Sequence, residues 1–191
     1  MGFSGGRHAS RRGWMGWLVS VVLTLCPVPV LAAKDPGLQI EVQHTEGSFA
    51  VHAVFPVPVS PARAFAVMTD YEHMAQFIPQ MRKSQVLWRN GERESVLQEG
   101  SVDLLWLHIP TYVVMSVHLL PDRAVHFHSS GGSMAVSGQA EIRPLAGGSL
   151  VDYRASLKPG TVLPLAFAQG SVTRYIRQQM EALRTEMLRA P

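Results

Sequence analysis

Between residues 84 and 157 the chain repeatedly turns back on itself, and this limits what it can fold into more than any other feature. Residues 84–89 and 94–99 flank Asn90-Gly91, a hairpin signal because both residues accept positive φ. Residues 106–120 are long and apolar, with a kink expected at Pro110, and Pro121-Asp122-Arg123 turns them into 124–130. Gly131-Gly132 starts a hairpin into 134–143, and Gly147-Gly148 leads to 150–157. Two further strands precede this run. Leu38, Ile40 and Val42 alternate with polar residues, and Phe49, Val51, Ala53 and Phe55 alternate again after Glu46-Gly47. Pro56 and Pro58 end the second strand. Ser60-Pro61 then opens a short helix, with Ser as N-cap and Pro at the first helical position. Its apolar side is Ala64, Phe65, Val67 and Met68, and it ends near Thr69-Asp70. A second short helix, 72–78, stops before Pro79. Strands gathered in a run, with helices segregated from them, define an α+β fold rather than a doubly wound sheet. No repeat or linker interrupts the chain, so one domain is expected.

The last stretch, 164–188, reads as a single helix. Leu165, Ala168, Val172, Ile176, Met180, Leu183 and Met187 lay one apolar stripe along it, in steps of three and four. The first half of the helix is small (Ala166, Ala168, Gly170, Ser171) and the second is bulky (Tyr175, Ile176, Met180, Leu183, Met187). Small residues leave room for a cavity or allow another element to come close, and the stripe alone does not choose between them.

The N-terminus reads as a segment apart. Arg7, Arg11 and Arg12 precede an apolar run over 14–25, and Val30-Leu31-Ala32-Ala33 supplies a small-residue exit. This is the pattern of a secretory signal peptide over 1–32, with the domain over 33–191. The run is short for a membrane span of ~20 residues. Ser10-Arg11-Arg12 also resembles a twin-arginine signal, so the export route stays open. The full chain has 17 Lys and Arg against 14 Asp and Glu, and the leader holds three arginines and no acid. The rest is therefore balanced, and the pI near 9.4 does not signal nucleic-acid binding. The single cysteine, Cys26, lies in the leader, so disulfides and cysteine-ligated metals are excluded from the mature chain. A domain of this length buries roughly 70% of its unfolded surface and needs no such staple.

Signals of catalysis are sparse. There is no Gly-x-Ser-x-Gly elbow, Walker loop, dinucleotide fingerprint or His-Glu-x-x-His, and no pair of carboxylates is evidently set inside. His126 and His128 share one strand face, and His118 can lie beside His126, a conceivable metal set. Val125 and Phe127 claim the interior, however, leaving those histidines on the solvated face, so no metal is expected. Asp70 is read as a cap of the second helix. Tyr153 shares a face with Ala155 and Leu157 and is the better cavity candidate, with Arg154 solvated. Trp106, Leu107, Ile109, Pro110 and Tyr112 form an apolar cluster, either a cavity wall or plain sheet core.

The stretch Val59-Ser60-Pro61-Ala62-Arg63-Ala64-Phe65-Ala66-Val67-Met68-Thr69-Asp70-Tyr71-Glu72, followed by Phe77-Ile78-Pro79, resembles the START-like helix-grip superfamily (SRPBCC). The likeness is greatest to its bacterial coenzyme-Q-binding and polyketide-cyclase branch. Gly131-Gly132, Gly138, Val151-Asp152-Tyr153 and Pro164 agree with it in order. The resemblance implies a curved antiparallel sheet wrapped around the C-terminal helix, enclosing a cavity for a lipid, quinone or similar hydrophobic molecule. With the leader, it implies an exported carrier rather than an enzyme, in the periplasm, without cofactor. Its ligand-lining residues are expected to be Phe65, Met68, Phe77, Trp106, Tyr112, Tyr153, Leu165 and Phe167. The alternative is a polyketide cyclase or dehydratase using Asp70 or Tyr153 to carry protons. A transient membrane contact and the oligomeric state stay open. On this reading the small half of the last helix roofs the cavity and the bulky half anchors it, so Gly170→Leu should reduce ligand capacity and Ile176→Ala mainly stability.

Overall fold

The computed structural model describes residues 37–104, 107–160 and 168–189. Its elements are β1 (Gln39–Thr45), β2 (Ser48–Val57), α1 (Pro61–Met68), α2 (Met74–Phe77), β3 (Met81–Asn90), β4 (Arg93–Leu104), β5 (Leu107–Leu120), β6 (Ala124–Gly132), β7 (Met134–Leu145), β8 (Gly148–Pro159) and α3 (Gln169–Leu188). The strands form one curved antiparallel sheet in the order β1-β2-β8-β7-β6-β5-β4-β3. The pairing of β2 with β8, in register Ala53↔Tyr153, is the one between strands distant in sequence. It arises because α1 and α2 carry the chain from β2 to β3, at the far edge of the sheet.

Alternation decides which face is buried. Phe49, Val51, Ala53, Phe55 and Val57 on β2 and Val151, Ala155 and Leu157 on β8 point into the concave side. Against them α3 lays Val172, Ile176, Met180, Leu183 and Met187, the expected stripe. Each such side chain, fully buried, contributes roughly 1.5–3 kcal/mol. The helix is also pinned at both ends. Gln169 Nε2 donates to the Val42 carbonyl at 2.7 Å. At the other end Arg63 of α1 donates to the carbonyls of Glu186 and Arg189, both at 3.1 Å, and of Met187 at 3.4 Å. These carbonyls lie in the last turn, where no further turn of helix follows to donate to them, the Glu186 carbonyl also accepting from the Arg189 N–H at 3.2 Å, and a cation suits the negative end of the dipole. Arg63 is itself placed by the start of α1, where Ser60 Oγ accepts from the Arg63 N–H at 3.2 Å and Pro61 opens the first turn.

Local details depart from the sequence reading in three places. The β3–β4 turn is Gly91-Glu92, because Asn90 pairs with Arg93 inside the ladder and positive φ occurs at Gly91, not Asn90. Pro110 causes no break. It pairs opposite Ser101, beyond the point where β6 joins β5 at Val113, so its missing N–H interrupts no second ladder. The irregularity falls instead at Val114/Met115. Finally, Gly131 and Gly132 belong to the end of β6 and pair with Val114 and Val113. The β6–β7 ladder stops at His128↔Ser137, after which β6 continues on β5 and β7 on β8. The sheet splits there.

Candidate functional site

A cavity of about 180 Å³ lies between the concave face and α3. Met68, Tyr71, Met74 and Ile78 close one side, and Tyr175, Ile176, Gln179, Met180 and Leu183 of α3 form another. The sheet contributes Gln98, Val113, Met115, Phe127, Ala140, Tyr153 and Leu157. Gln80, Glu99, Thr111 and Met134 also border it, near the split between β6 and β7. Gly138 shapes the floor. A Cβ there would meet the Arg154 carbonyl oxygen and lie 2.9 Å from Phe127 Cζ. Its absence lets the Phe127 ring lie across β7 and stack on Tyr153, with centroids 5.8 Å apart and planes 20° apart.

Among the described residues the lining holds no lysine, arginine or histidine, and Glu99 is its one charged residue. Its polarity comes mainly from phenols and amides. Burial pushes the Tyr71 hydroxyl up, and the nearby Glu94 carboxylate and Tyr153 add to the shift. Burial likewise raises Tyr153, with Tyr175 adding to it, and raises Tyr175 against a hydrogen bond from Gln179. All three phenols therefore keep their protons at neutral pH and act as donors. Glu94 lies on the inward face of β4 beside this group. It is 2% exposed, its Oε1 accepts from Arg89 Nε, and its buried Oε2 has no partner among the described residues.

Residues 48–188 match the family described as polyketide cyclase / dehydrase and lipid transport. The chain belongs to that family. Its fold is that of the START-like superfamily. The STAR-related lipid transfer protein from Xanthomonas axonopodis superposes with a TM-score of 0.67 at 17% identity, covering 81% of this chain and 95% of that one. The Zhui aromatase/cyclase from Streptomyces sp. R1128 gives 0.62 at 14%, covering 73% and 93%. Human STARD10 gives 0.61 at 10%, covering 80% and 73%. At these identities the likeness is one of fold. No curated protein matches the sequence.

Within this family fold, the expected lining residues fall in different places. Met68 and Tyr153 border the cavity. Phe65 and Phe77 are half-buried against the core but do not border it. Tyr112 is 53% exposed, because alternation on β5 turns Thr111 and Val113 inward and Tyr112 outward. Trp106, Leu165 and Phe167 lie outside the described residues. The proposed division of the last helix needs correction. Gly170 faces open space, with nothing within 4 Å of a Cβ placed there, whereas the bulky residues from Tyr175 to Leu183 wall the cavity. The first turn instead packs close, with Ala168, Ser171 and Val172 buried.

Asp70 is not the expected cap of α2: the N-cap is His73, with no side-chain cap bond, while the Asp70 carbonyl accepts from the N–H groups of His73 and Met74, both at 3.1 Å, and its carboxylate meets His73 Nδ1 at 2.7 Å. Tyr153 points inward and Arg154 outward, where Arg154 pairs with Asp152 at 2.8 Å. His118 and His126 sit edge to face on the outer side with centroids 6.4 Å apart, and the described residues contain no three-residue set able to hold a metal. Tyr71, Tyr175, Gln98 and Gln179 were not foreseen as lining. Gln98 and Gln179 did carry a signal: each is an amide set in or beside an apolar pattern, between Val96 and Gly100 and between Ile176 and Met180.

Proposed function

We propose that this chain is an exported binding or carrier protein for a hydrophobic molecule, held between the sheet and α3. The carrying observation is the cavity itself: bordered by a pinned helix, mainly apolar and, among the described residues, without a cationic side chain. Transfer of an apolar ligand into it would be driven by desolvation, at about 25 cal/mol per Å² of apolar surface buried. At about 180 Å³ it is smaller than the ~300–1,000 Å³ of a drug-sized pocket, so a compact ligand fits it as it stands and a two-chain lipid needs it to widen. A lipid, a quinone or a related molecule remains within this reading. The names of two superposing proteins, a lipid transfer protein and an aromatase/cyclase, support it by analogy of fold.

Export is supported by Arg7, Arg11 and Arg12 ahead of the apolar run and by Ala32-Ala33 at its exit. N-terminal sequencing of the secreted form should find Ala33 or Lys34 first. Solvent extraction of that form followed by mass spectrometry should recover an apolar molecule. Repeated recovery of nothing, together with no binding of quinone or phospholipid analogues, would overturn the carrier reading.

The second reading, a polyketide cyclase or dehydratase, draws on the polar groups inside the cavity. Against it, the phenols are held protonated, which suits donation and not proton abstraction, and the one deeply buried carboxylate nearby, Glu94, is tied to Arg89. Conversion of a bound polyketide analogue to a cyclised or dehydrated product would favour this reading over the carrier.

A further inference from the structure

The face of the sheet turned away from the cavity carries a pattern of its own. His52, Arg154, Gln139, His126, His118 and Arg93 are successive partners across β2, β8, β7, β6, β5 and β4, so they form one row on the outer surface. Two residues along each strand, the neighbouring row runs Gln43, Ala50, Ser156, Ser137, His128 and Ser116 from β1 to β5. Short side chains beside long ones leave a groove. A depression of about 550 Å³ lies there, bordered by Gln43, Ala50, Ser156 and Ser137 and by His52, Arg154 and Gln139. Past Ser116 the row reaches Ser95 and then Trp88, whose ring is half exposed. With strands ~4.8 Å apart, the groove is an elongated track across the sheet.

The long side of the groove is held from behind. Buried Asp152 accepts from Arg154 at 2.8 Å and meets His52 Nε2 at 3.0 Å, with Arg143 at 3.8 Å. Glu141, its partner on β7, accepts from Arg143 at 2.5 Å and from Gln139 at 2.9 Å. Both acids lie behind the row, away from the groove, and are already countered. Arg154 keeps further N–H donors for a ligand. The other acids stand at the two ends: Glu41 on β1, which accepts from Gln43 at 2.6 Å, and Glu92, 3.6 Å from His118. Lys158, two residues beyond Ser156, adds a cation on the opposite side, and Arg93 adds one next to His118. The floor offers hydroxyls and amides rather than apolar surface, so an acyl chain would gain little there. Trp88 is the one exposed flat ring along the track among the described residues, too few to stack a run of bases.

We propose that this outer groove binds an extended acidic polysaccharide, with sugar hydroxyls on Ser137, Ser156 and Gln43 and carboxylates on Arg154, His52 and His126, and that binding strengthens as pH falls. Histidine gains its charge between about pH 8 and 5, where sugar carboxylates stay ionised, so the attraction is present on the acid side and is lost as pH rises. The site lies on the opposite face from the cavity and stands or falls independently of the carrier reading.

The test uses the full chain and three fluorescein-labelled probes: hexagalacturonate, its neutral methyl ester, and galacturonate monomer. Fluorescence anisotropy reads their affinities at pH 5.5 and 7.5. At the lower pH the acidic hexamer should bind about 10-fold or more tighter than the ester or the monomer, and it should weaken about 10-fold at the higher pH. Ser137→Leu/Ser156→Leu fills the groove without changing its charge and should cost the hexamer about 10-fold or more in affinity. His126→Gln/His128→Gln should reduce the pH response. All four positions are exposed, so thermal melts of both variants should match the parent's, and the histidine pair keeps the test intact if the leucine pair misfolds. Equal binding of hexamer and ester, equal binding of hexamer and monomer, an affinity indifferent to pH, or unchanged binding in a folded leucine variant each overturns the proposal. Tighter binding of phosphatidylglycerol vesicles or of single-stranded RNA than of the hexamer overturns the assignment to a sugar chain. No binding of the hexamer at either pH overturns the site outright.

Discussion

Gly138→Ala isolates the feature that shapes the cavity floor. Gly138 pairs with Phe127 on β6 and with Ala155 on β8. An added methyl would fall on the Arg154 carbonyl oxygen and lie 2.8 Å from Ala155 Cα and 2.9 Å from Phe127 Cζ. The first two are backbone atoms, which cannot rotate away, so the strands must part or the Phe127 ring must lift from Tyr153. Overpacking of this kind costs about 1–3 kcal/mol. For a domain of this size each kcal/mol moves Tm by about 2–4 °C, so the variant should melt several degrees lower. Circular dichroism measures the melt, and the near-ultraviolet signal of Tyr153 reports whether its stack on Phe127 is lost. A variant that melts at or above the parent, with that signal unchanged, refutes the argument that this position excludes a side chain.

Other predictions follow from the same geometry. Gly170→Leu should leave ligand capacity unchanged, because the site faces open space, and Gly170→Ala should raise stability by up to ~1 kcal/mol through helix propensity, as read by urea unfolding. Ile176→Ala, in contrast, removes a buried wall of the cavity and should cost roughly 2–5 kcal/mol in the same assay. Arg89→Ala should destabilise by about 3–5 kcal/mol, since it strands the buried Glu94 charge, whereas Glu94→Gln should cost much less because Arg89, 60% exposed, can turn to water; equal losses in denaturant melts would contradict this. Arg63→Ala should speed amide hydrogen exchange in the last turn of α3 and cost about 1–2 kcal/mol, and unchanged exchange there would show that Arg63 does not hold the helix end.

The sequence by itself determined the elements and their faces. Period-2 alternation placed Phe49, Val51, Ala53 and Phe55 inside, and the three-and-four spacing placed Val172, Ile176, Met180, Leu183 and Met187 on the buried side of α3. These are local periodicities, and burial on one face imposes them directly. Even small departures had a local cause visible only through pairing, as when Asn90 took a ladder partner and pushed the turn to Gly91-Glu92.

Tertiary structure alone decided where the space lies and what borders it. Small side chains on the last helix suggested room near Gly170, but that position faces outward, and a cavity is whatever volume remains after side chains from the sheet, α1, α2 and α3 have met. That remainder depends on how distant elements fit, not on any one stretch. The same holds for its chemistry. Tyr153 is legible in the sequence as an inward residue, but Tyr71 and Tyr175 are not marked there as lining, and Glu94 sits in an ordinary polar run. The tyrosines border one cavity because the pairing of β2 with β8 and the pinning of α3 bring their elements together, and there each hydroxyl's own burial, with a smaller contribution from its charged or phenolic neighbours, raises its proton affinity.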